Sequence, residues 1–123
     1  MKIVLCSSTK FEESYLSWVI DNINLKHSTT LPIATKPEDW DTWTAEAKRL
    51  VKFERMNRYF SAIRGADVVL VFNKDDYIGV NTAIEIGYAI AHQVPIYYVF
   101  PTNNLELQTI GASIKVLGGA LIQ

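Results

Sequence analysis

The sequence predicts an α/β fold in which a parallel sheet carries helices on both faces, and three observations lead there. Strand-like apolar runs alternate with helix-like segments along the chain, the pattern that right-handed crossovers turn into a parallel sheet. Residues 3–6 and 68–72 are apolar throughout, as strands buried on both faces must be. No repeat, low-complexity tract or linker divides the 123 residues. Residues 1–123 therefore read as a single domain, long enough to bury about two-thirds of the surface its unfolded chain exposes.

The elements follow in order. Residues 3–6 form a first strand, and the polar stretch Ser7-Ser8-Thr9-Lys10 gives way to a helix. Phe11, Tyr15, Trp18, Val19 and Ile23 recur in that helix at a spacing that places them on one face. A short second strand over 28–33 is ended by Pro37. Asp41 or Thr42 is positioned to cap a long helix that carries Leu50, Phe53, Met56, Tyr59, Phe60 and Ile63 and stops at Gly65. Residues 68–72 are the third strand. The helix after Asn81 presents Ala83, Gly87 and Ala91 at four-residue spacing, small residues suited to close packing on a sheet. Pro95 admits a fourth strand over 96–100, and an apolar run at 114–117 or 120–122 supplies a fifth. We therefore expect a flavodoxin-like three-layer sandwich with a five-stranded parallel sheet. In such sheets ligands sit beyond the carboxyl ends of the strands, near the point where strand order reverses. The loops beginning at Ser7, Asn73 and Pro101 are expected to share that crevice.

Composition narrows the function classes. A net charge of −1 creates no long-range field toward a nucleic acid polymer or an anionic membrane. Cys6 is the single cysteine and His27 and His92 the only histidines, so neither a disulfide within the chain nor a Cys/His metal cage is expected. No apolar stretch reaches the roughly 20 residues of a membrane span, and no signal-like segment opens the sequence. The expected setting is cytoplasmic, with no cofactor and no metal.

Several residues are candidates for chemistry, each with a plainer role beside it. Thr82-Ala83-Ile84-Glu85 matches a capping box, in which Thr82 and Glu85 satisfy each other's backbone N–H groups. Glu85 also follows the loop leaving a central strand, where a carboxylate can act as nucleophile or base. Ser7 to Lys10 offer hydroxyls, N–H groups at a helix start and a cation, the parts of a phosphate or carboxylate site; they serve equally as an N-cap with a solvated lysine. The loop is no Walker A motif and has no glycine. Cys6 reads as a small buried hydrophobe. Trp40 and Trp43 could pack the core or a lid, or stack on a base. Asp75 and Asp76 read as turn residues on the functional edge, and His92 complements the C-terminal dipole of its helix.

Three stretches resemble the nucleoside 2-deoxyribosyltransferase superfamily, which includes 2-deoxynucleoside 5-monophosphate N-hydrolases. They are Gly65-Ala66-Asp67-Val68-Val69 with Thr82-Ala83-Ile84-Glu85-Ile86-Gly87-Tyr88-Ala89, and Cys6-Ser7-Ser8-Thr9-Lys10. The resemblance runs from Ile3 to about Phe100. It implies that Glu85 is the catalytic nucleophile, attacking the anomeric carbon of a sugar. It also places Ser8 and Lys10 at a 5-phosphate, with lysine a poorer fork than the family's arginine. Asn81, Thr82 and Tyr88 complete the implied substrate-binding set.

The chain departs from the family pattern where auxiliary polar groups stand. Gly79 replaces an aspartate or serine, Asn81 a glycine and Tyr59 an aspartate, with Asp75, Asp76, Asn81 or Tyr59 available to compensate. The implied activity is cleavage or transfer of the N-glycosidic bond of a nucleoside or nucleoside 5-monophosphate, in a homo-oligomer of two or more copies whose neighbour closes the pocket. The alternative is a nucleotide-binding or sensing module that has lost catalysis. A flavin carrier is supported by fold analogy alone.

Overall fold

The computed structural model describes residues 1–123. Five parallel strands form one sheet in the order β2-β1-β3-β4-β5, with β1 Lys2–Cys6, β2 Ser28–Thr30, β3 Val68–Val71, β4 Ile96–Tyr98 and β5 Ala112–Ser113. This is the flavodoxin-like order, and the order in which successive strands are laid down reverses between β1 and β3. Register pairs Ile3 with Val68 and Cys6 with Val71, so the carboxyl ends of the two central strands are level.

Alternation along those strands builds the two faces of the sheet. Val4, Cys6, Val69, Val71, Ile96 and Tyr98 point to one face and pack with α2 (Ala45–Arg64) and α3 (Val80–Ala91) through Tyr59, Ile63, Ile86 and Ala89. Leu107 and Ile110 of α4 (Leu105–Ile110) lie against the same cluster. Ile3, Leu5, Leu70 and Phe72 point the other way, toward Tyr15 and Ile23 at α1 (Glu12–Asn22) and Leu121 of α5 (Gly118–Ile122). The expected three-layer sandwich is thus present.

Several local details differ from the sequence expectations. The second strand ends at Thr30 rather than 33, since Pro32 has no N–H to donate to a ladder. Thr44, not Asp41 or Thr42, caps α2, its hydroxyl accepting from the Ala47 N–H at 3.2 Å; Trp40–Thr42 instead form a separate short 3-10 turn. Leu50 and Phe53 are exposed, because the first half of α2 runs past the sheet and only its second half reaches the core.

In α3 the packing face is Thr82, Ile86 and Ala89, rather than Ala83, Gly87 and Ala91, which face solvent. The fifth strand is only Ala112–Ser113. The apolar runs after it form a 3-10 turn and α5, where burial of Leu121 beneath Ile23 overrides strand propensity. Gly111 permits the close pairing of that edge: a Cβ there would lie 2.8 Å from the Tyr98 ring and 2.9 Å from the Ile96 carbonyl oxygen.

Candidate functional site

A cavity of about 590 Å³ opens at the carboxyl end of β1, between the segment that links β2 to α2 and the N-terminus of α3. The loop after β1 contributes Ser7, Ser8 and Thr9. Pro32, Ile33, Ala34, Lys36 and Trp40 come from the β2–α2 segment, and Lys52, Arg55, Met56 and Tyr59 from α2. Tyr77, Gly79, Asn81, Thr82 and Glu85 complete the opposite side. The loop beginning at Pro101 does not join them. It is held behind β3, where the buried Asn73 side chain donates to the Phe100 carbonyl and accepts from the Phe100 N–H, both at 2.9 Å.

Glu85 is the only carboxylate lining this cavity. α3 begins at Val80 with Gly79 as its N-cap, three residues earlier than the capping-box pattern requires. Thr82 consequently lies in the first turn, its hydroxyl buried without a partner, and Glu85 lies in the second turn, outside the cap. The glutamate turns inward instead. Burial pushes its carboxyl up to about 7, while a hydrogen bond with the Cys6 side chain acts in the opposite direction. Cys6 is fully buried, and burial first, then the charge of Glu85, raises its thiol well above the usual range. The thiol is thus a neutral S–H donor toward the glutamate. A carboxyl balanced near neutrality in a cleft has the titration behaviour of a functional group.

The remaining expected residues divide between cavity and scaffold. Ser8, Asn81 and Thr82 line the cavity with Glu85. Lys10 does not: its ammonium lies 3.3 Å from the centre of the Tyr77 ring and 5.0 Å from that of Phe11, a cation–π arrangement. Tyr88 is also outside, stacked on Phe60 with ring centres 4.3 Å apart and accepting a hydrogen bond from Arg64. It fastens α3 to α2. Asp67 accepts from the Lys2 N–H at 2.7 Å and pins the start of β1.

The departures from the family pattern have structural counterparts. At Gly79 an added Cβ would meet the Tyr77 ring at 3.5 Å and the Ser8 Cβ at 4.0 Å, so the missing side chain leaves the cavity mouth open. Tyr59 donates its phenol to the Leu5 carbonyl, and burial raises that phenol far beyond the range in which it could release a proton. Asp75 and Asp76 lie outside the cavity in left-handed backbone conformations; Asp76 accepts from the Asn103 N–H at 2.9 Å, the first cause of its lowered pKa. None of the three takes the place of an auxiliary acid beside Glu85.

The molecule superposes on a 2-deoxyribosyltransferase from the psychrotolerant bacterium Bacillus psychrosaccharolyticus with a TM-score of 0.58 and 22% identity, over 90% of this chain and 82% of that one. This chain has the fold of a 2-deoxyribosyltransferase. A conserved protein from Enterococcus faecalis V583 shares the fold at a TM-score of 0.56 and 15% identity, over 89% of this chain and 70% of the other. No protein-family model matches the sequence, and no curated protein matches it.

Within that fold, the residues that sequence reasoning missed are the basic ones. Lys36, Lys52 and Arg55 all line the cavity. Their signal was present: Lys52, Arg55 and Tyr59 recur at the three- and four-residue steps that define one helix face. It was hidden because the apolar residues of α2 suggested a helix packed along its whole length. No helix is long and apolar enough to cross a membrane, and no group of three or more His, Cys, Asp or Glu side chains is arranged to hold a metal ion.

Proposed function

We propose that the protein cleaves or transfers the N-glycosidic bond of a nucleoside or nucleoside 5-monophosphate, with Glu85 as nucleophile. The observation that carries this reading is the solitary carboxyl of Glu85, turned out of any capping role and into a cavity at the strand-order reversal. The fold shared with a 2-deoxyribosyltransferase supports the substrate class. In the ionised state a Glu85 oxygen bonds to the anomeric carbon as the bond from that carbon to the base nitrogen breaks. The base leaves with the bonding pair and takes up a proton, and the sugar remains as a glycosyl ester. Water then releases the free sugar, or a second base accepts it.

Ser8 and Asn81 are the groups available to orient the sugar, and Trp40 offers an aromatic face to the base. No cofactor is required by this chemistry. We further propose that two or more copies assemble, covering apolar residues left exposed on α2 and α3, among them Leu50, Phe53, Val80 and Ile84.

The test is release of free base from a panel of nucleosides and 5-monophosphates by the wild type and by Glu85→Gln. Glutamine preserves the shape of the side chain and cannot form the ester. Release that disappears in the folded variant supports the reading. The second reading, a nucleotide-binding module without turnover, is favoured by the engagement of Tyr59 with Leu5, which leaves no acid beside the leaving base. Tight nucleotide binding with no base release from any substrate would establish it.

A further inference from the structure

We propose that Lys36, Lys52 and Arg55 form a phosphate subsite on the α2 wall of the cavity, and that this wall, rather than the loop after β1, selects phosphorylated nucleosides. The inference rests on the nucleoside reading of the cavity.

Three cations and one carboxylate line the cavity of a chain whose net charge is −1, so the positive charge is concentrated there. These cations have no acid partner within the chain, because its one ion pair joins Arg58 to Glu54 on the outer face of α2. Lys52 and Arg55 stand one turn apart on the helix face that continues to Tyr59 on the cavity floor. Lys36 approaches from the segment before α2. A guanidinium can grip two phosphate oxygens at once while ammonium groups add point charge beside it.

The loop after β1 offers much less to an anion. The Ser7 hydroxyl is committed to the Phe72 carbonyl at 2.9 Å, Lys10 is held over Tyr77, and Ser8 and Thr9 are left as neutral hydroxyls. Gly79 adds no side chain on that side. An anionic group entering the cavity therefore finds its counter-charge on α2, and Glu85 on the opposite side disfavours its approach there.

The experiment is calorimetric titration of Glu85→Gln, which cannot turn substrate over, with the four 2-deoxynucleosides and their 5-monophosphates. Monophosphates should bind about 10- to 100-fold more tightly than the matching nucleosides, with the advantage shrinking at high ionic strength. Adding Lys52→Ala and Arg55→Ala should abolish that advantage while leaving nucleoside affinity in place. Adding Arg55→Lys should reduce it only in part, and adding Lys10→Ala should leave it intact. Both lysines and the arginine reach solvent, and circular dichroism verifies that each variant is folded.

An advantage that survives loss of Lys52 and Arg55, or that disappears with Lys10, overturns the proposal. So does the absence of any advantage. The two readings fail separately. Phosphate-dependent binding without base release by the wild type removes the glycosidase and keeps the subsite; base release without phosphate preference does the reverse. Failure of every nucleoside and nucleotide to bind removes both.

Discussion

The phenol of Tyr59 donates a hydrogen bond to the backbone carbonyl of Leu5, the residue immediately before Cys6 in β1. It also lies 3.4 Å from the Thr30 carbonyl oxygen at the end of β2. One side chain thus ties the middle of α2 to the strands that form the cavity floor.

A structural role for Tyr59 has a measurable consequence. Tyr59→Phe removes the bond and leaves the ring packed, so we expect a loss of about 1–2 kcal/mol in denaturant unfolding. Base release by the folded variant should stay within about twofold of wild type, since the phenol has no proton to deliver. A large fall in turnover with unchanged stability would instead make Tyr59 a stand-in for the missing acid.

The raised pKa of Glu85 makes stability depend on pH, with a definite sign. An unfolded glutamate titrates near about 4.3, whereas the folded group titrates near about 7. The folded state therefore holds the proton more tightly. The stabilisation is fully present below the unfolded value and is lost as pH rises through the folded one. The loss is on the order of 4 kcal/mol at most. Glu85→Gln stays neutral throughout, so its melting temperature should match wild type at about pH 4.5 and exceed it at about pH 8. Equal pH profiles for the two proteins would show that Glu85 is ionised at no cost.

Ionisation of the same group governs the rate if Glu85 is the nucleophile. Base release should rise with pH and level off above about 7. The Cys6 hydrogen bond favours the carboxylate, so Cys6→Ala should move that limb to higher pH, and Cys6→Ser, which restores a donor, should move it back. A rate that falls through this range would assign Glu85 as an acid.

Asn73 supplies a test of the scaffold apart from the chemistry. Its side chain pairs with both the N–H and the carbonyl of Phe100, and Asn73 itself is fully buried. Asn73→Ala leaves both backbone groups without their partner, and we expect a cost of about 2–4 kcal/mol in chemical denaturation. Asn73→Asp keeps the acceptor and loses the donor, so it should also be destabilised. Turnover per folded molecule should change little, because Asn73 does not line the cavity.

Much of the fold was legible because its signals are local. Apolar runs in β1 and β3 have few ways to be buried, and their alternation with helical segments permits few topologies. The last strand was misplaced because short runs such as Ile114 to Leu117 carry strand propensity but too few residues to show a period. Likewise, Thr82 to Glu85 matches a capping box in letters, and only the start of α3 at Val80 shows that the box is not used.

The sequence by itself determined the layered α/β architecture and the placement of Glu85 just beyond a central strand, because each follows from patterns within a few residues. Tertiary structure alone decided which polar side chains meet. Lys36, Lys52 and Arg55 enter the cavity with Glu85 because the β2–α2 segment and the half of α2 that overhangs the sheet approach α3 across β1. Lys10 and Tyr88 are not among its lining because aromatic partners, Tyr77 and Phe11 for the one and Phe60 for the other, hold them. Such encounters depend on how elements distant in sequence are oriented, and no local pattern specifies that.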